Sequence, residues 1–318
     1  MSDRNFCPRC HANVPKGTRY CYFCGCEMPG QSPVKKFFMS LLQCLGYYGF
    51  FIGVQSLVSV ACTLIITLLP LGLFGSFDED AAYDAVYRFL PEIGILSAIV
   101  TLLGYFLFFK IRKKSLFKEI KVRSIRPTTC VAMLSFGMTA LFIVSIGLTF
   151  LYILFPELSS YSNSEELEHL MDGSNPVVEF INISIVTGII EEVLFRGLIY
   201  TTMKKAMPKA LAIILSSVFF GIAHMNIEQF FYTSLLGLLM VLVYERYGTI
   251  FAPIIVHATF NGSNYVLDAL NFKYDEPYFA IFVLAIAIFI LTLALVFFTE
   301  RVPRSRIKYL RKSENETL

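Results

Sequence analysis

Apolar residues fall along this chain in long unbroken runs, not in the alternating or one-sided patterns of soluble strands and helices. At 1.5 Å per residue, a helix needs about 20 apolar residues to cross roughly 30 Å of hydrocarbon, and about eight runs approach that length. They cover residues 40–70, 92–109, 129–154, 177–200, 208–224, 229–245, 249–269 and 278–298. The first is continuous with Phe37 to Phe74 and exceeds one crossing, so part of it is expected to lie along the surface. The pattern predicts an all-α polytopic membrane protein with about eight transmembrane helices. A small polar head occupies residues 1–30, a linker around Gly30-Gln31-Ser32-Pro33 fills 31–39, the helical domain covers 40–300 and a basic tail covers 301–318.

Composition agrees: 56% of residues are apolar, 16% are charged and mean hydropathy is +0.63, whereas about a quarter of the residues in soluble domains are charged. Net charge is only +3, so its placement matters more than its size. Lys110, Arg112, Lys113, Lys114, Lys118, Lys121, Arg123 and Arg126 follow the second run, while Asp78, Glu79 and Asp80 follow the first. Glu157, Glu165, Glu166 and Glu168 follow the third, Lys204 and Lys205 the fourth, and Arg301, Arg304, Arg306 and Lys308 the last. Because basic loops stay inside, this alternation predicts a multi-pass cell-membrane protein with both termini in the cytoplasm. The 110–126 cluster is a topology signal that also meets anionic lipid. Nucleic acid is not the expected partner, since Arg4, Arg9, Lys16 and Arg19 make only a modest basic set. Tryptophan is absent, which leaves Tyr47, Tyr48, Tyr200 and Tyr247 to form any aromatic belt. The head lacks the basic start, apolar core and cleavage site of a secretory leader.

Within the head, Cys7-Pro8-Arg9-Cys10 and Cys21-Tyr22-Phe23-Cys24-Gly25 form two CxxC knuckles. That spacing lets four thiolates close a tetrahedron around one Zn2+ ion. A segment this short cannot bury enough apolar surface to fold unaided, so the metal would supply much of its folding energy. Disulfide bonding is the alternative, disfavoured in a reducing cytoplasm. Cys26 and His11 are substitute ligands, while Cys44, Cys62 and Cys130 lie in apolar runs as small core residues. A closed site of four cysteines is structural or partner-binding, and it suits a cytoplasmic docking module.

The chemistry lies deeper in the chain. Glu191-Glu192-Val193-Leu194-Phe195-Arg196, Phe220-Gly221-Ile222-Ala223-His224 and His257-Ala258-Thr259-Phe260-Asn261 each sit inside an apolar run. A charge at the bilayer centre costs about 2.5 to 3.5 kcal/mol on insertion scales, so these groups should face a protein cavity and pair there. Glu192 and Arg196, four apart, share a helix face and neutralise each other; helix-to-helix glue is the alternative role for the pair. Glu191 is rotated by about 100° and is left over, with His224 and His257 as natural partners for holding a nucleophilic water or a metal. Asn261, one turn after His257, is placed to donate to a developing oxyanion, and Phe220 to wall the pocket. Glu179, Asn182 and Glu228 read as interfacial or packing residues, and Gly197 as a point of close helix approach. Counted from the loops, Glu191 falls near the inner end of its span and His224 near the outer end of the next, so the bounds read for the fifth span are expected to be wrong.

Three ordered motifs, EExxxR at Glu191 to Arg196, FxxxH at Phe220 to His224 and HxxxN at His257 to Asn261, make the chain resemble the CPBP superfamily. That superfamily groups type II CAAX prenyl endopeptidases with bacteriocin-processing and immunity-type relatives, also called ABI. Gly248-Thr249-Ile250-Phe251-Ala252-Pro253 precedes the last motif, as in many members, and no signature position departs from the pattern. The resemblance covers roughly residues 128–270. It implies an intramembrane endopeptidase in which Glu191 activates water, His224 and His257 hold that water or a metal, Asn261 stabilises the oxyanion, and Glu192 and Arg196 complete the signature. Its substrates would be membrane-associated or lipidated peptides. Two histidines and one carboxylate suit either a Zn2+ peptidase or a metal-free glutamate mechanism. Outside that class stand a non-catalytic immunity or regulatory protein that keeps the motifs for packing, and a proton-coupled transporter, which the lack of duplicated halves disfavours.

Overall fold

The computed structural model describes residues 4–15, 20–26, 32–74, 79–156, 174–269, 286 and 288–293. In the head, β1 (Arg4–Phe6) pairs antiparallel with β2 (Asn13–Pro15), Asn5 opposite Val14. The helices that follow are α1 (Pro33–Phe74), α2 (Glu79–Arg88), α3 (Leu90–Ile111), the single turn α4 (Leu116–Glu119) and α5 (Pro127–Leu154). Next come α6, helical from 176 to 206, then α7 (Lys209–Ala223), α8 (Ile227–Tyr247) and α9 (Phe251–Ala269). Each of the first seven apolar runs coincides with one of these helices. The excess length of the first run is carried in one continuous helix. By length and composition, three helices among the described residues can cross a bilayer alone: α1 to Leu69, α3, and α5 to Leu148. Of the eighth run, only 286 and 288–293 lie within the described residues; they are helical, and Thr292 meets the Thr139 hydroxyl of α5 at 2.9 Å. The tail and the acidic 157–168 loop lie outside the described residues.

Helix α6 is the axis of the bundle. Every residue from Val193 to Tyr200 is buried, as expected of a helix surrounded by others. It starts at Asn175, whose side chain accepts from the Val177 amide at 3.0 Å, with Pro176 at the first helical position. Two stretches, Ile181–Val186 and Val193–Tyr200, are wound as π-helix around an α-helical Thr187–Glu192. Small residues bring α9 close. A side chain on Gly188 would meet the Ala258 backbone nitrogen at 3.3 Å, one on Gly262 would strike Ser184 Oγ, and one on Gly137 of α5 would strike the Val256 carbonyl, each at 2.6 Å. Apolar burial gives no drive between helices in lipid, so such close approach carries the packing. Gly197 behaves as expected, since a Cβ there would collide with Ile120 at 2.7 Å.

One end of the bundle is tied by ion pairs: Glu245 holds Lys204 at 2.8 Å and Lys209 at 2.7 Å, and Glu119 pairs with Lys205. The expected aromatic belt is not what these tyrosines build. Tyr200 and Tyr47 are buried, at 0% and 7% exposure, and Tyr48 is half-buried against Phe219 and Phe195. They lie in helix-to-helix contacts because α1 packs along α6 over this stretch.

Candidate active site

The EExxxR segment sits in the middle of α6, where a π-helical stretch begins just past Glu192. Such windings shift the register of side chains and recur at functional sites. Glu192 is wholly buried and Arg196 nearly so. Arg196 Nη1 donates to Glu192 Oε1 at 2.8 Å, its Nη2 donates to the Gly237 carbonyl of α8 at 3.2 Å, and its guanidinium lies 4.3 Å from the centre of the Phe220 ring. Phe220 therefore stacks on the cation.

His257 reaches the same carboxylate. Its Nδ1 lies 2.9 Å from Glu192 Oε1, and its Nε2 lies 3.8 Å from Glu191 Oε2. Beside Arg196 the Glu192 carboxylate is an acceptor, so Nδ1 carries a proton and donates to it. Spacing alone paired Glu192 with Arg196. The fold gives Glu192 a second partner, and this contact orients the imidazole as a carboxylate orients a catalytic or ligating histidine.

His224 is positioned by the turn between α7 and α8. It caps α7, Met225 follows in the left-handed region at φ 52°, and Asn226 starts α8 by accepting from the Gln229 amide at 3.0 Å. His224 Nδ1 donates to the Phe220 carbonyl at 2.8 Å, which leaves its Nε2 clear of that bond. The Phe220 ring stands edge-on to both imidazoles, 4.8 Å from His224 and 6.0 Å from His257. Glu191, His224 and His257 thus come from three helices to one neighbourhood. The bounds read for the fifth span, expected to be wrong, hold: α7 covers Lys209–Ala223 against the run 208–224. Instead α6 runs on through Thr201–Ala206, so Glu191 stands as far before the α6–α7 turn as His224 stands after it.

Asn261 has an engagement that spacing did not reveal. Its Nδ2 donates to the Ile183 carbonyl at 3.1 Å, within the first π-helical stretch of α6. An amide nitrogen carries two protons, so this bond uses one of them. Glu179 is buried and accepts from Ser174 at 2.9 Å, and the Asn182 side chain packs on Gly94, both consistent with packing roles. The side chain of Glu228 lies outside the described residues. The sequence gives Tyr48 only to the aromatic belt, but its hydroxyl donates to the Ala223 carbonyl at 3.4 Å beside His224. Oε2 of Glu191 and of Glu192 are buried without a hydrogen bond to the described residues. Buried polar atoms are almost always paired, so these two mark where water or substrate polar groups fit.

In the head, a pseudo-repeat builds the knuckles. Cys7 and Cys21 each accept, through the carbonyl, from the amide of a left-handed residue, His11 at φ 56° and Gly25 at φ 68°. Their own amides donate to the Ala12 and Cys26 carbonyls. The ligand atoms of Cys7, Cys10, Cys21 and Cys24 lie within 4.8 Å of one another. A tetrahedral zinc with 2.3 Å bonds requires sulfurs about 3.8 Å apart. Cys7 to Cys24 at 3.5 Å and Cys10 to Cys21 at 3.6 Å fit that edge. Burial pushes the Cys7 thiol up, but hydrogen bonds from the Cys10 amide, the Cys26 thiol and the Arg9 amide outweigh it and hold the group down at about 5. Among the described residues this is the one cluster of metal-ligand atoms that close; Glu191, His224 and His257 do not gather as such a set.

Residues 173–263 match the family model described as type II CAAX prenyl endopeptidase Rce1-like. The chain is also 29% identical over 99 residues to "Putative membrane peptidase YdiL" of Bacillus subtilis. That match covers 31% of this chain and 41% of the relative, so the chain spans less than half the length of the curated protein it matches. No solved structure matches it significantly.

Proposed function

We propose that this chain is an intramembrane endopeptidase acting on membrane-associated or lipidated peptides, a reading supported by the match of residues 173–263 to the type II CAAX prenyl endopeptidase Rce1-like model. The supporting observation is the joint approach of Glu191 and Glu192 to the two nitrogens of His257, with His224 across the shared Phe220 ring. In this reading Glu191 takes a proton from water, and the hydroxide attacks the peptide carbonyl carbon. The second water hydrogen is held by an imidazole Nε2, and the free Asn261 N–H meets the oxyanion. Collapse of the tetrahedral intermediate breaks the C–N bond as Glu191 returns its proton to the leaving amine. Glu192, held by Arg196, keeps the His257 tautomer. Since the three residues do not assemble as a ligand set in this structure, the reading gives activation of water to Glu191 itself.

The ribbon, in the same proposal, binds one structural Zn2+ through Cys7, Cys10, Cys21 and Cys24 and serves as a cytoplasmic docking or regulatory module. The protein sits in the cell membrane with both termini inside, as the basic loops indicate. The test is a panel of lipidated and unmodified membrane peptides incubated with purified protein in liposomes, with products read by mass spectrometry. Cleavage by the wild type, nearly abolished by His224→Ala, is expected. No cleavage of any peptide, or equal cleavage by His224→Ala, overturns the proposal.

A further inference from the structure

Away from the active site, the outer face of α1 and α3 carries two adjoining cavities that share Met39, Gln43, Tyr47, Phe108 and Arg112 as walls. The larger, about 490 Å³, is apolar and runs along the membrane part of the two helices past Leu42, Gly46 and Phe50. Gly46 leaves it open, since a Cβ there would meet nothing within 4 Å. The smaller, about 290 Å³, is polar and opens at the basic end of the bundle among Lys36, Arg112, Lys114, Lys205 and Glu119. Glu119 is taken up by Lys205, which leaves Lys36, Arg112 and Lys114 with no acidic partner among the described residues. Arg112 is held in place over the Phe108 ring at 4.8 Å, on the wall the two cavities share.

An unneutralised basic cup continuous with an apolar trough matches one molecule in shape and charge: an anion joined to a hydrocarbon chain. We propose that this is a binding site for one anionic glycerophospholipid of the leaflet at the basic end, its phosphate held by Lys36, Arg112 and Lys114 and one acyl chain lying over Gly46. The trough gives no preference between lipids, because hydrocarbon against hydrocarbon is no gain over the bilayer. Discrimination comes from the cup, where each basic contact to an anionic headgroup supplies about a fivefold factor. None of the active-site residues touches these cavities, so the site stands or falls independently of the peptidase reading.

The chain contains no tryptophan, so Leu42→Trp, at an exposed position in the trough, gives a single fluorescent reporter in the full-length protein. The reporter is reconstituted in phosphatidylcholine vesicles doped with brominated phosphatidylglycerol or brominated phosphatidylcholine, and quenching is read against mole fraction. Brominated phosphatidylglycerol is expected to quench at a mole fraction at least about fivefold lower. That difference should vanish with Arg112→Glu plus Lys114→Glu, and Gly46→Leu, whose Cβ would meet nothing within 4 Å, should weaken quenching by both lipids. Equal quenching by the two lipids in the parent, or an unchanged difference in the charge-reversed variant, overturns the proposal. Loss of the difference on adding millimolar inorganic phosphate also overturns it, by showing a phosphate site and not a lipid site.

Discussion

Two adjacent glutamates on α6 should respond to the same substitution in opposite ways. Glu192 is fully buried, and its Oε1 accepts from both Arg196 and His257 at 2.8 and 2.9 Å. Glu192→Gln keeps the shape but removes the charge, leaving the Arg196 guanidinium, 1% exposed, without a counterion. Stranding one member of a buried pair costs about 3–5 kcal/mol, because the remaining charge stays out of water without compensation. At about 2–4 °C per kcal/mol for a domain of comparable size, the melting midpoint should fall by roughly 6 to 20 °C. Glu191 has a side chain 19% exposed, and its contact to His257 Nε2 at 3.8 Å is longer than a hydrogen bond. Glu191→Gln strands no hydrogen-bonded partner and should therefore lower the midpoint by far less than Glu192→Gln does. The assay is helical circular dichroism against temperature, in one detergent, for the wild type and both variants. Equal midpoints, or a larger drop for Glu191→Gln, would refute the assignment of Glu192 to structure and orientation and of Glu191 to chemistry.

Replacing Cys7, Cys10, Cys21 and Cys24 together by serine should remove about one equivalent of zinc, read by elemental analysis beside the wild type; stoichiometric zinc remaining in the variant would reveal a second site. Gly137→Ala should destabilise the bundle by about 1–3 kcal/mol, since its methyl would lie 2.6 Å from the Val256 carbonyl, whereas Gly147→Ala meets nothing within 4 Å and should be neutral or stabilising. Thermal denaturation of the two variants should separate them, and similar midpoints would argue against the close α5–α9 contact.

The helices were legible because membrane burial writes itself as long apolar runs, and the ribbon because metal geometry fixes cysteine spacing. The end of α6 was not. Thr201-Thr202-Met203-Lys204-Lys205-Ala206 looks like a polar loop, and its helix is held by Glu245 and Glu119, far off in sequence. That mistaken boundary created the apparent mismatch in depth between Glu191 and His224. The ion pair of Glu192 and Arg196 follows from helical spacing, but the contact of Glu192 with His257 spans 65 residues and no periodicity encodes it. The contact of Tyr48 was missed for the same reason: it depends on α1 crossing the α7–α8 turn. The gathering of the three motifs was foreseen from cost, because polar groups in lipid must find one another.

The account rests on Glu191 as the base that activates water, and single-turnover cleavage of a lipidated peptide in liposomes, wild type against Glu191→Gln, tests it most directly. Removal of a positioned general base predicts a rate about 100- to 10,000-fold lower, with the folded helical signal intact. Equal rates from the two proteins would contradict it.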